Sequence, residues 1–188
     1  MNKIFNKNYI FIEQLDKLNK IKSLKLTNIS IIIDINEKTD KNNEKELFIV
    51  KFARKNKIPF IIKNNYQRCF KYNANGIFLD SKNKNRLRPI FLKKNFEIIG
   101  QAHNQNEYFL KYSQGCKVIM LSPIFSNIKY TEYKLLGILK FNLISLNWRV
   151  KICALGGVNK ENLKKINITK AQNIASKSSI FDIFQGAK

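Results

Sequence analysis

Histidine is almost absent from this 188-residue chain, and His103 is its only one. Any imidazole chemistry must therefore rest on that residue. Cysteine is scarce as well. Cys69, Cys116 and Cys153 are odd in number, far apart and without metal-ligand spacing, which argues against a disulfide framework or a zinc module. Reduced cytoplasmic thiols are expected, with Cys153 packed inside an apolar strand. Long hydrophobic runs are missing too. The longest, Ile29 to Ile35, is broken by Ser30 and Asp34, so no membrane span is expected. The N-terminal Met1-Asn2-Lys3-Ile4-Phe5-Asn6-Lys7 has no apolar core of the kind a signal peptide needs.

Acidic residues are few: 13 Asp and Glu stand against 35 Lys and Arg, a formal net charge of +22. Such an excess raises nucleic acid as a partner. Its distribution argues the other way. Most of the excess is lysine, scattered among Asn and Ile, the bias of an AT-rich coding sequence. The densest groupings, Lys82 to Arg88 and Lys93-Lys94, fall in expected loops. Phosphate readers of nucleic acids concentrate their cations on one element, interleaved with aromatics. Nucleic acid is therefore not an expected partner, whereas a positive field suits small phosphorylated anions.

What is present is a hydrophobic fraction of 44%, enough for a globular core, and a length that fits one domain over residues 1–188. Strand-like runs recur at Tyr9–Ile12, Ile29–Ile35, Pro59–Ile62, Gly76–Leu79, Phe96–Gly100, Val118–Leu121, Val150–Leu155 and Asn173–Ala175. Helical spacing falls between several of them, at Glu44–Lys57, Asn106–Gln114 and Tyr133–Leu146. Strand–helix alternation predicts parallel βαβ units, and eight strands predict a compact α/β fold, the (β/α)₈ TIM barrel. Such barrels usually need at least about 200 residues. One or two connections should therefore be short or irregular, with Glu13–Thr27 and Asp80–Asn95 the candidates.

The stretch richest in chemical meaning is Cys153-Ala154-Leu155-Gly156-Gly157-Val158-Asn159. An apolar strand stops at two glycines, and a helix start follows with Asn159 as its cap. Paired glycines let backbone N–H groups approach a ligand, and a helix N-terminus favours an anion. Phosphate is the expected ligand; the alternative is a tight turn that needs two permissive residues.

Three segments together resemble the thiamine phosphate synthase / TenI family. Ala74-Asn75-Gly76-Ile77-Phe78-Leu79-Asp80-Ser81 is similar to its A-D-G-[IV]-H-[IL]-G-Q strand. Ile99-Gly100-Gln101-Ala102-His103 with Gly115 to Phe125 is similar to G-x-S-x-H…G-A-D-Y-[IV]-x-x-G-P-[IV]-[FY]. Ala154-Leu155-Gly156-Gly157-Val158-Asn159-Lys160-Glu161-Asn162 with Ile174 to Phe181 is similar to A-I-G-G-I-x-x-E-N…G-[FV]-A-x-[IM]-S-x-I. The match spans most of the chain after Pro59 and is thin before it.

The resemblance implies a phosphate-binding barrel of thiamine biosynthesis whose ligand is a phosphorylated thiazole or pyrimidine. In the synthase, hydroxymethylpyrimidine diphosphate ionises, magnesium and basic residues hold the pyrophosphate, and thiazole phosphate captures the cation. In TenI, a thiazole phosphate is tautomerised by proton transfer without a metal. By resemblance, Gly156, Gly157, Lys177 and Ser178 surround the phosphate, the last two through backbone N–H groups at the start of the final helix. Lys38 and Lys129 correspond to lysines of the synthase, and His103 to the TenI histidine, although the strand is one residue shorter before it. Lys63, Asn64 and Asn83 fall in the pyrimidine-diphosphate region. There the family pattern has magnesium-binding aspartates where this chain has Asn64 and Asn83. Magnesium favours carboxylates, so no metal site and no required cofactor are expected. Synthase, metal-free tautomerase and non-catalytic phosphate binder stay open at this point.

Overall fold

The computed structural model describes residues 5–23, 28–35, 40–85, 95–126 and 135–177. Eight parallel strands close into a barrel in sequence order. They are β1 (Lys7–Ile12), β2 (Ile29–Ile33), β3 (Phe60–Lys63), β4 (Gly76–Leu79), β5 (Glu97–Ala102), β6 (Val118–Leu121), β7 (Lys151–Leu155) and β8 (Asn173–Ser176). The ladder closes where β1 pairs with β8, Lys7 opposite Asn173. Each strand coincides with an apolar run of the sequence, shifted by at most two residues at either end. Continuous Ile and Val runs are what a sheet buried on both faces requires.

Six helices join the strands among the described residues: α1 (Asp16–Ser23), α2 (Asp40–Lys55), α3 (Tyr66–Lys71), α4 (Gln105–Ser113), α5 (Gly137–Ile144) and α6 (Leu163–Ile166). The connection from β1 to β2, expected to be short or irregular, contains a two-turn helix. Between β4 and β5, residues 80–85 form turns and no helix. The chain saves length in short helices such as α3 and α6, which helps a barrel fit so few residues.

Alternation along the strands divides the core in two. Inside the barrel lie Tyr9, Phe11, Ile32, Ile61, Phe78, Ile99, Val118, Met120, Cys153, Leu155 and Ala175. Phe11 and Phe78 meet edge to face at 5.2 Å. The intervening residues, such as Ile10, Ile31, Ile62 and Ile119, pack outward against the helical layer. In α5 the leucines do not face the sheet. Leu139 and Leu143 are 84% and 69% exposed, and Phe141 fills the buried position instead. The three thiols are free and buried, as expected for Cys153. Burial pushes the Cys69 and Cys116 thiols up to about 12. Among the described residues no helix is long and apolar enough to cross a membrane.

At the N-terminal end of the barrel, side chains of β1 and β5 bond to each other. Lys7 Nζ pairs with Glu97 Oε2 at 2.6 Å, and the buried Tyr9 hydroxyl donates to Glu97 Oε1 at 3.4 Å. Burial, reinforced by the Glu97 charge, raises the Tyr9 pKa well above the phenol range. Barrels of this kind place their chemistry at the opposite end.

Candidate functional site

One inward step beyond the apolar interior, every strand changes character. Glu13 follows Phe11, Asp34 follows Ile32, Lys63 follows Ile61 and Asp80 follows Phe78. Gln101 follows Ile99, Ser122 follows Met120, Gly157 follows Leu155 and Lys177 follows Ala175. The period-two alternation that fills the core with apolar residues ends in a ring of polar side chains, interrupted only by Gly157 at β7.

Five of the eight positions form an ion-pair chain. Lys63 Nζ lies 2.7 Å from Asp34 Oδ1 and 3.9 Å from Asp80 Oδ2. Lys177 Nζ lies 2.7 Å from Glu13 Oε1 and 3.2 Å from Asp34 Oδ2, and 5.2 Å above the Phe11 ring. The chain therefore links β4, β3, β2, β8 and the end of β1. Burial alone would raise the Asp34 carboxyl. The Lys63 hydrogen bond and charge, with Lys177, more than offset it and hold the pKa below its ordinary value. Burial would lower the Lys177 ammonium, but bonding to Glu13 and the charge of Asp34 raise it overall.

Asn64 and Asn83 close the β3–β4 side. Asn64 sits in the left-handed region at φ 56°, a conformation asparagine tolerates better than most residues. Its Nδ2 donates to Asp80 Oδ2 at 2.7 Å, and its Oδ1 accepts from the Asp80 backbone N–H at 3.1 Å and from Asn83 Nδ2 at 3.2 Å. The Asn83 N–H donates to Asp80 Oδ1 at 3.0 Å. Behind them, buried Lys111 donates to the Asn83 carbonyl at 2.7 Å and to Gln114 Oε1 at 3.0 Å. Burial lowers the Lys111 pKa. Gly100 makes its room, since a Cβ there would lie 2.8 Å from Lys111 Cβ and Cγ. A recess of about 250 Å³ beside this cluster is lined by Asn64, Asn65, Tyr66, Gln67, Asn83 and Asn85.

This donor set does not fit the magnesium ion of the synthase pattern. A hard dication needs several anionic oxygens whose lone pairs converge on one point. Here both Asp80 oxygens and Asn64 Oδ1 already accept hydrogen bonds, and an ammonium lies 3.9 Å from Asp80 Oδ2. Among the described residues no group of three or more His, Cys, Asp or Glu side chains could hold a metal.

His103 follows β5 directly. Its Nδ1 lies 2.7 Å from the Ser122 carbonyl oxygen. A carbonyl only accepts, so Nδ1 carries the proton and the basic lone pair falls on Nε2. Ser122 Oγ is 3.3 Å from Nδ1 and accepts from Gln101 Nε2 at 3.0 Å. The backbone is pinned on the other side. The His103 N–H donates to Glu107 Oε2 at 2.8 Å, and Asn104 caps α4 by accepting from the Glu107 N–H at 3.0 Å. The imidazole is thus oriented by β6 and by the start of α4 together.

The glycine pair has φ values of 94° at Gly156 and 66° at Gly157. A Cβ on Gly156 would lie 2.9 Å from Pro123 Cα, and one on Gly157 would fall 2.6 Å from the Phe125 carbonyl carbon. Both glycines are therefore needed to let the loops after β6 and β7 touch, whatever ligand their N–H groups meet. The Phe125 N–H donates to the Gly156 carbonyl at 3.1 Å. Asn159 and Asn162 exchange side-chain bonds with each other's backbone N–H, both at 2.9 Å, and Asn162 Nδ2 donates to the Gly157 carbonyl at 2.7 Å. Asn159 caps a turn over residues 160–162 and not the helix expected there: α6 begins only at Leu163, with Asn162 at its N-cap, and is a single turn, so little macrodipole stands behind the glycines.

The structure thus brings Lys63, Asn64, Asn83 and Lys177 into one polar network, with His103 on the β5–β6 side and the glycines between the β6 and β7 loops. The Lys177 ammonium is paired with the Glu13 and Asp34 carboxylates. Lys38, Lys129 and Ser178 lie outside the described residues. Sequence reading passed over Glu13, Asp34, Asp80, Gln101, Ser122 and Lys111 as site residues. Continuing each strand's alternation by two positions would have found all but Lys111.

A closed parallel barrel with polar C-terminal strand ends belongs to the α/β-barrel class that builds active sites from strand termini. Residues 17–180 match the family model described as thiamine monophosphate synthase, TMP-TENI. The chain belongs to the thiamine phosphate synthase / TenI family. It is 29% identical over 117 residues to the thiamine-phosphate synthase of Prochlorococcus marinus, a match covering 62% of this chain and 34% of that protein. The chain thus aligns with about a third of that relative's length. Its fold is similar to the thiamine phosphate pyrophosphorylase of Pyrococcus furiosus, with a TM-score of 0.74 at 17% identity, covering 96% of this chain and 91% of the other. It is also similar to the thiamine phosphate pyrophosphorylase of Bacteroides thetaiotaomicron, with a TM-score of 0.61 at 15% identity, covering 97% and 87%.

Proposed function

We propose that this chain binds a phosphorylated thiazole at the barrel mouth, in the cytoplasm, and catalyses a metal-independent proton transfer on it. The observation that carries the reading is the His103 tautomer. With Nδ1–H fixed on the Ser122 carbonyl at 2.7 Å, Nε2 is a general base aimed by the fold. In the proposed step Nε2 takes a proton from one carbon of the ligand, and the electron pair left behind enters the conjugated ring. The imidazolium then returns the proton to another carbon of the same system. Atoms and electrons balance, and the product is a tautomer. The phosphate is assigned to the backbone around Gly156, Gly157, Lys177 and Ser178, with Lys38 and Lys129 adding positive charge. Amide-for-carboxylate replacement at Asn64 and Asn83 favours this reading over magnesium-assisted departure of pyrophosphate.

The test is proton–deuterium exchange and tautomer conversion of thiazole phosphate followed by NMR, with and without EDTA. Wild type should turn over equally in both. A His103→Gln variant should lose about 10²–10⁴-fold in rate and keep its stabilisation by the ligand. Full activity in His103→Gln, or thiamine phosphate formation that requires magnesium and hydroxymethylpyrimidine diphosphate, would refute the proposal.

A further inference from the structure

We propose that Lys63 is the resident cation of the mouth, doing among its carboxylates the charge-balancing that a divalent ion would do and excluding such an ion by occupying their common reach. The inference rests on the metal-independent reading above for its catalytic meaning, but it stands on separate observations.

Asp34 is the anchor. Its side chain is only 9% exposed, and a carboxylate so placed needs a partner cation. Lys63 supplies one at 2.7 Å, and the same ammonium reaches Asp80 at 3.9 Å on the far strand. Lysine at this place follows from strand geometry. β3 buries Ile61 inward, and the next inward position is 63. The neighbours are matched to a single charge. Among the described residues of the ring, Glu13, Asp34 and Asp80 face Lys63 and Lys177. Asn64 and Asn83 hydrogen-bond Asp80 without adding negative charge. Aspartates at 64 and 83 would leave this cluster strongly anionic; amides leave it close to balance. An added dication would meet an ammonium at contact distance from both of its best ligands. Lysine, a compact point charge with three donors, suits this bridging role.

The inference predicts a gain of function on removing the lysine. In Lys63→Met the chain length remains but the ammonium goes, and Asp34 and Asp80 share a vacated space. Manganese titration, read by the free-ion EPR signal in the absence of any thiazole ligand, should show no bound ion in wild type and one per chain in Lys63→Met. Added manganese should raise the variant's Tm and leave the wild-type Tm unchanged. Lys63→Arg should behave as wild type, and Lys63→Met/Asp34→Asn should lose the acquired ion. If Lys63→Met folds only with manganese present, the inference stands. If it folds under neither condition, or folds and binds no ion, or if wild type binds manganese stoichiometrically, the inference falls. Because no ligand is present, a wild type that excludes manganese yet turns over no thiazole phosphate would lose the proposed reaction and keep this assignment.

Discussion

Replacing Asp34 by Asn is the sharpest test of the mouth's electrostatics. The change preserves shape and removes one charge. It weakens two charge-assisted hydrogen bonds, from Lys63 at 2.7 Å and Lys177 at 3.2 Å, and turns an amide N–H toward two ammonium groups. Hydrogen bonds to charged groups contribute about 1.5–3 kcal/mol each. The partners soften the loss, because the Lys63 and Lys177 side chains are 28% and 45% exposed and retain Asp80 and Glu13. Solvent screening and these second partners reduce the expected loss to about 1–3 kcal/mol. For a chain of this size that lowers Tm by about 2–12 °C, at roughly 2–4 °C per kcal/mol. The pH dependence carries a sign. The Asp34 carboxyl is held below its ordinary value of 3.8 in the folded state. Its stabilisation is therefore present above the unfolded-state pKa and is lost as pH falls through the folded one. Urea denaturation of both proteins at neutral pH and at successively lower pH should show a gap that closes below the usual carboxylate range. No gap at neutral pH, or one that persists undiminished in acid, would refute the account.

Three further outcomes are expected. Gly157→Ala places a Cβ against the Phe125 and Ser126 carbonyls at a φ of 66°. Left-handed backbone and overpacking together should cost about 2–5 kcal/mol by urea denaturation, and a loss under 1 kcal/mol would contradict the loop contact. Lys111→Met removes a buried ammonium from beneath Asn83. Global stability should change little or rise, while amide exchange at Asn83 and Asn85 quickens; a large global loss would show that the lysine is a net stabiliser. In alkaline solution the Lys177 contribution, whose pKa is raised, should be present below the unfolded lysine value and disappear as pH climbs through the folded one. The stability difference between wild type and Lys177→Met across that range reads it directly.

The strands were legible because short apolar runs buried on both faces are their physical cause: Ile29–Ile33, Val118–Leu121 and Ile152–Leu155 are buried throughout. Helices α1 and α3 were harder. DKLNKIKS and YQRCFK carry only one or two apolar contacts each, too few for a period to emerge. Leu139 and Leu143 share a helical spacing but face solvent, because α5 turns Phe141, with Leu136 and Ile144 beside it, toward the core. At the site, motif order pointed to His103, Asn64, Asn83 and the glycines. It did not show that Lys63 and Lys177 share Asp34, since partners on β2, β3 and β8 meet only once the barrel closes. It also did not show that Gly156 and Gly157 serve loop contact, which depends on where Pro123 and Phe125 arrive.

That closure has a temporal side. Glu13 and Lys177, bonded across the β1–β8 seam, are 164 positions apart in the chain. At about 5–20 residues per second, synthesis brings the second to the first only after roughly 8–33 s. Until then β1 is an open sheet edge rich in Ile and Phe, the kind of surface on which nascent chains aggregate. Pairings of such sequence distance are slow to form and late to reward the chain. Lys63 can meet Asp34 and Asp80 as soon as β2, β3 and β4 pair, whereas the Lys177 ion pairs can therefore form only once the barrel is nearly complete. Before that, the emerging chain carries a lysine-rich charge whose self-repulsion helps keep it soluble.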